Sequence, residues 1–116
     1  MLKTIVRALD RVKSEDITIY DMKGVSPLFD EIIIATVASM RQAASVCDYI
    51  EDELEKDGYD VRNIEGKNTA WVVVDCHDVL VHVFTREERE RYNLEKLYMD
   101  VKKIDVDSLR DEKGDK

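Results

Sequence analysis

The chain has 116 residues, of which 26 are acidic and 18 basic, for a formal net charge of −8; 44% are hydrophobic and 38% charged. At roughly 100–150 residues per domain this is a single domain, and its apolar share is enough for a core, which excludes general disorder. The acidic balance excludes non-specific binding to a phosphate backbone, which needs clustered Lys and Arg.

Leu2, Ile5, Val6, Leu9 and Val12 recur at the i, i+3, i+4, i+7 spacing of one helical face, with Lys3, Arg7, Asp10, Arg11 and Lys13 on the rest. Charges interrupt Met1–Arg7 every few residues, so it does not read as a signal peptide. No apolar run reaches the ~18–20 residues of a membrane span, and a cytoplasmic location is expected. Ile17–Met22 alternates and is β-branched, which predicts a strand ahead of the punctuation Lys23-Gly24-Val25-Ser26-Pro27. Phe29–Val37 holds the continuous apolar run Ile32-Ile33-Ile34-Ala35, the pattern of a strand buried on both faces.

Ser39 is placed to cap a helix whose stripe is Met40, Ala43, Ala44, Cys47, Ile50 and Leu54, and Gly58 stands where a C-terminal glycine belongs. Tyr59–Ile64 is expected to be a short strand, followed by the loop Glu65-Gly66-Lys67-Asn68. Ala70–Asp75 and Val79–Phe84, joined by Asp75-Cys76-His77-Asp78, predict an antiparallel hairpin. Thr85 can cap a short helix over Arg86–Glu90. An apolar-aromatic segment of Tyr92, Leu94, Leu97, Tyr98, Met99 and Val101 follows. The expected fold class is α/β: one domain over residues 1–104, with a mixed sheet of about five strands flanked by helices. Residues 105–116 lose periodicity to charge and are expected to form a loose tail.

Few residues suit catalysis. Only His77 and His82 are present, and although His77 directly follows Cys76, nothing near Cys47 or Cys76 completes a nucleophile–base arrangement. Both thiols are expected to be reduced and structural. His77 falls in a turn, while His82 shares a strand face with Leu80 and Phe84 and reads first as a packed histidine, second as a polar contact on a binding face. Asp75, His77 and Asp78 read as turn chemistry and not as a metal set, so no metal and no cofactor is expected. The glycines are scattered, without a phosphate cradle. Trp71, Phe84, Tyr92 and Tyr98, with Leu94 and Leu97, gather instead in the C-terminal half, and aromatics with Arg are the residue types of interface anchors. Trp71 and Leu97 are equally consistent with a plain core.

Phe29–Thr36, Ser39-Met40-Arg41-Gln42, Glu65-Gly66, Trp71–Asp75, Asp78–Phe84 and Arg89–Tyr98 occur in one order. Together they make the chain resemble the ribosomal silencing factor family, RsfS or Iojap, over residues 2–102. The resemblance implies a nucleotidyltransferase-like α/β fold without catalysis. It implies a protein that binds the large ribosomal subunit through that subunit's protein fourteen, blocks joining of the small subunit and represses translation under nutrient limitation. For organelle members it implies a part in large-subunit assembly. Two positions depart from the family pattern: Thr36-Val37-Ala38-Ser39 stands where Thr-Gly-x-Ser is usual, and Leu97-Tyr98 where Leu-Trp is usual. The docking face is expected to comprise Trp71, His82, Phe84, Tyr92, Leu94, Glu95 and Tyr98, with Arg89 ordering the segment through a carboxylate such as Glu95. Two other readings compete. One is a magnesium-dependent nucleotidyltransferase-like enzyme using Asp30, Asp75 or Asp78. The other is a homodimer using the sheet or the C-terminal segment, favoured if the apolar strand Val79–Phe84 ends the sheet uncovered.

Overall fold

In the computed structural model, which describes residues 1–115, the centre of the sheet is the strand that the sequence marks most heavily. This strand, β2 (Glu31–Val37), is buried at every position. It runs antiparallel to β1 (Glu15–Asp21) and parallel to β5 (Val79–Thr85). The hairpin predicted from Asp75–Asp78 is present, β4 (Trp71–Asp75) pairing antiparallel with β5. β3 (Asn63–Glu65) and β6 (Lys103–Ile104) close the two edges, giving the order β3-β4-β5-β2-β1-β6 in a mixed six-stranded sheet. β5 is therefore an inner strand, and the ground for self-association through an uncovered Val79–Phe84 edge is gone.

Alternation divides the sheet into two chemistries. Ile19, Ile33, Ala35, Val37, Val72, Val74, Val79, Val81 and Val83 face one way, onto helices α1 (Leu2–Arg11) and α2 (Met40–Lys56). Tyr20, Ile32, Ile34 and Phe84 face the other way, beneath the C-terminal segment. In α1 the buried face is Thr4, Ile5, Val6, Ala8 and Leu9. In α2 it includes Val46, which the expected stripe lacked, while Met40 is half exposed because it belongs to the first turn, beyond the sheet's cover.

Local signals fix the ends of α2. Ser39 Oγ accepts from the Gln42 N–H at 3.2 Å, and Gln42 Oε1 accepts in return from the Ala38 N–H at 2.7 Å, a variant of the reciprocal box that satisfies amides at a helix start. At the other end Gly58 has φ +87, and the N–H groups of Tyr59 and Gly58 donate to the carbonyls of Leu54 and Glu55. This is the paired closure that a left-handed glycine permits.

The C-terminus departs from the expectation of a loose tail. Ile104 pairs with Ile19 across β6. Val106 and Leu109 then pack against the α1 side of the core from short 3-10 turns within Val106–Asp115, and Arg110 donates to both carboxylate oxygens of Asp10. Two apolar residues three apart are too few to show a period among charges, yet they suffice to seat the chain on α1. Lys116 lies outside the described residues.

Candidate partner-docking face

The face of the sheet turned away from α1 and α2 is covered by chain that follows β5. Helix α3 (Arg86–Tyr92) leaves the end of β5, Asn93 turns in the left-handed region at φ 48, and a 3-10 stretch (Leu94–Tyr98) leads toward β6. Leu94, Tyr98 and Val101 pack inward on Tyr20, Met22, Ile32, Ile34 and Phe84.

An aromatic group sits at the β4–β5 end of this face. Trp71 and Phe84 are direct cross-strand partners, and their rings stack at 5.0 Å. Tyr92 from α3 tilts against Trp71 at 4.7 Å. Diagonally across the hairpin, the Trp71 indole Nε1–H donates to His82 Nδ1 at 3.1 Å, within the reach of a diagonal pair. Burial pushes the His82 pKa down to about 4. The ring is thus neutral at pH 7, accepting at Nδ1 and carrying its proton on Nε2. At the far end Tyr20 and Tyr98 meet at 4.9 Å, and burial raises the pKa of both phenols.

Beside the aromatics lies a polar knot around Arg89, only 9% exposed. Its Nε donates to Glu95 Oε2 at 2.7 Å, the carboxylate expected from sequence. Its Nη1 donates to the Asp16 carbonyl at 2.6 Å and to Thr36 Oγ1 at 2.9 Å, and its Nη2 reaches Thr18 Oγ1 at 3.4 Å.

The fold therefore brings together Trp71, His82, Phe84, Arg89, Tyr92, Leu94, Glu95 and Tyr98. They divide by exposure: Phe84 and His82 are buried and support the face from below, whereas Tyr92 is 47% exposed. Two further residues of the covering segment are more open still: Leu97, which the sequence leaves between anchor and core, and Met99, which it does not assign to the docking face. Leu97 is 71% exposed and Met99 78%, so Leu97 is not core. The inward trio Leu94, Tyr98 and Val101 already makes an i, i+4, i+7 set, and that spacing was the available sign that Leu97 and Met99 lie off it. Val25 and Leu28, also exposed, belong to the β1–β2 loop, whose Phe29 packs on the same cluster.

The residues weighed for other chemistry are engaged elsewhere. His77 has φ 72, and its Nε2 lies 3.1 Å from Asp60 Oδ1. Asp75 accepts from Arg62 and from the His77 N–H. The Asp30 N–H donates to the Asp78 carbonyl. Among the described residues no three His, Cys, Asp or Glu side chains converge as a metal set. Cys47 and Cys76 are buried, which pushes their thiols up to about 11 and about 12. Neither is a reactive thiolate at neutral pH. No helix among the described residues is long and apolar enough to cross a membrane.

Comparison with known proteins gives a consistent result. The family model described as "Ribosomal silencing factor during starvation" matches residues 1–116. The chain is 39% identical over 99 residues to ribosomal silencing factor RsfS of Haemophilus influenzae, covering 84% of this chain and 97% of that protein. It is 40% identical over 108 residues to RsfS of Bacillus subtilis, covering 92% of each. The chloroplastic protein Iojap of Zea mays is 27% identical over 103 residues, which is 45% of its length. Among solved structures, a Chromobacterium violaceum protein superposes with TM-score 0.78 at 34% identity, covering 83% of this chain and 81% of the other. A Bacillus halodurans protein superposes with TM-score 0.79 at 32% identity, covering 90% and 95%.

Proposed function

The chain belongs to the ribosomal silencing factor family, and from that membership we propose that it is a cytoplasmic, non-enzymatic regulator that docks on the large ribosomal subunit through the subunit's protein fourteen. Docked there, it keeps the small subunit from joining and lowers translation when nutrients are scarce. The observation that carries this reading is the cover over the second sheet face: an aromatic group with Tyr92, Leu97 and Met99 open to solvent on one short segment. Apolar and aromatic residues grouped at a surface are the usual anchors of a protein interface.

Charge supports the choice of partner. A chain of net charge −8 is repelled by ribosomal RNA and attracted to basic ribosomal proteins, and complementary charge raises the rate of encounter. The work then needs bulk at the right place and no reacting group. Sedimentation of the protein with purified large subunits tests the reading. Tyr92→Ala and Leu97→Asp are expected to leave the protein in the supernatant. Equal pelleting of both variants and wild type would remove the assignment of this face, and no pelleting of wild type would remove the function.

A further inference from the structure

Arg89 sits where four pieces of chain meet, and one of them is distorted to receive it. β1 pairs with β2 in one register at Glu15–Thr36 and in another from Thr18–Ile34 onward, so β1 carries a bulge across Asp16 and Ile17. Asp16 lies in the left-handed region at φ 50. A bulge turns a backbone group out of the ladder; here the Asp16 carbonyl meets Arg89 Nη1. The Asp16 carboxylate is held in turn by Arg86 at 2.9 Å. From β2, the hydroxyl oxygen of Thr36, a residue 2% exposed, accepts from the same Nη1. Beyond the helix, the Arg89 side chain holds Glu95 and its backbone carbonyl accepts from the Asn93 N–H at 2.8 Å. One buried guanidinium thus ties the β1 bulge and β2 to both sides of the turn that starts the exposed segment.

We propose that Arg89 is the positioning residue of the docking face: it fixes the 93–99 segment to the sheet so that Tyr92, Leu97 and Met99 are presented preformed, and neither Arg89 nor Glu95 is itself a partner contact. This rests on the docking reading above. A segment already ordered loses less freedom on binding than one that must fold against its partner. The guanidinium suits the task because its planar donors are spent in several directions at once, which an ammonium cannot reproduce.

The test compares wild type, Thr36→Val, Glu95→Gln, Arg89→Lys and the Arg89→Lys/Glu95→Gln pair, reading affinity for purified large subunits and amide hydrogen exchange. Thr36→Val is decisive, because the hydroxyl is buried beneath Arg89 and cannot touch a partner. Thr36→Val and Glu95→Gln are each expected to speed exchange at Lys96 and Val101 while β2 and β5 stay protected. Each is expected to weaken binding by about threefold to tenfold, as loss of one buried or charged hydrogen bond does. The double variant is expected to bind no worse than Arg89→Lys alone, since the two side chains act as one unit. Normal binding by Thr36→Val with weak binding by Glu95→Gln would make Glu95 a direct contact and overturn the proposal. So would fast segment exchange with undiminished binding. If wild type itself is not retained by large subunits, the docking reading fails separately, and the exchange measurements still decide whether Arg89 orders the segment.

Discussion

His82 is a histidine used as a neutral acceptor, and that use has a signature in pH. Its folded-state pKa of about 4 lies below the ordinary value of 6.5. As pH falls the unfolded chain therefore takes up a proton first, and protonation pulls the equilibrium toward unfolding. Its contribution is full above about pH 6.5, declines between there and pH 4, and is constant below. The difference bounds the effect at about 3 kcal/mol. Urea unfolding at pH 7 and pH 5 should show the loss. His82→Asn, which keeps an acceptor close to Nδ1, should be less sensitive over that interval, and an unchanged pH slope in that variant would show that other groups set it. A second single-residue prediction concerns Gly66. It has φ +77, and a Cβ there would lie 2.3 Å from the Trp71 carbonyl oxygen. Gly66→Ala must shift the start of β4, where Trp71 sits. A loss of about 1–3 kcal/mol in thermal or urea unfolding is expected, the usual cost of a residue held in a disfavoured backbone region.

The covering segment sets burial and exposure against each other within a few residues. Phe84 beneath it is fully buried, and Phe84→Ala is expected to cost about 3–5 kcal/mol of stability. Leu97 and Met99 are open to solvent, so Leu97→Asp and Met99→Ser should stay within about 0.5 kcal/mol of wild type in unfolding, yet lose retention by large subunits. Parallel loss of stability and retention in these two variants would mean the segment is core and not contact. Much of this arrangement was legible from sequence. The apolar run of β2, the alternation of β4 and β5 and the capped stripe of α2 each carry a period over many residues. The Arg89–Glu95 pair was legible too, being six positions apart across a turn. The rest was not, because its causes are non-local. β6 is two residues long and exists only because β1 offers an edge. The Asp16 bulge, Thr36 and Thr18 reach Arg89 from strands far off in sequence, and no local pattern announces them.

At the scale of the molecule, the two sides of the sheet carry different work. α1 and α2 supply the larger core, and their outward surface displays Asp48, Glu51, Asp52 and Glu55, all exposed. The other side holds the aromatic group and the Arg89 knot. With a net charge of −8, association with a basic partner should be steered by charge and should slow with salt, by about tenfold or more between low and high ionic strength. Stopped-flow association at increasing salt measures this, and a rate indifferent to salt would argue for a partner surface without net positive charge.

The fully buried β2 has a consequence in time as well as in space. Its partner on one side, β1, is already made when β2 emerges, but its parallel partner β5 is not synthesised until Val79. While the chain from Ala38 to Asp78 is being added, a seven-residue apolar strand has one edge without a neighbour, the condition under which strands capture each other wrongly. Formation of α2, with its closed ends, shields one face of β2 during that interval but leaves the edge open. The native state is therefore completed late, by a non-local parallel pairing. Refolding of the isolated protein is expected to be limited by docking of the β4–β5 hairpin onto β2, and substitutions in that hairpin are expected to slow folding more than those in α1.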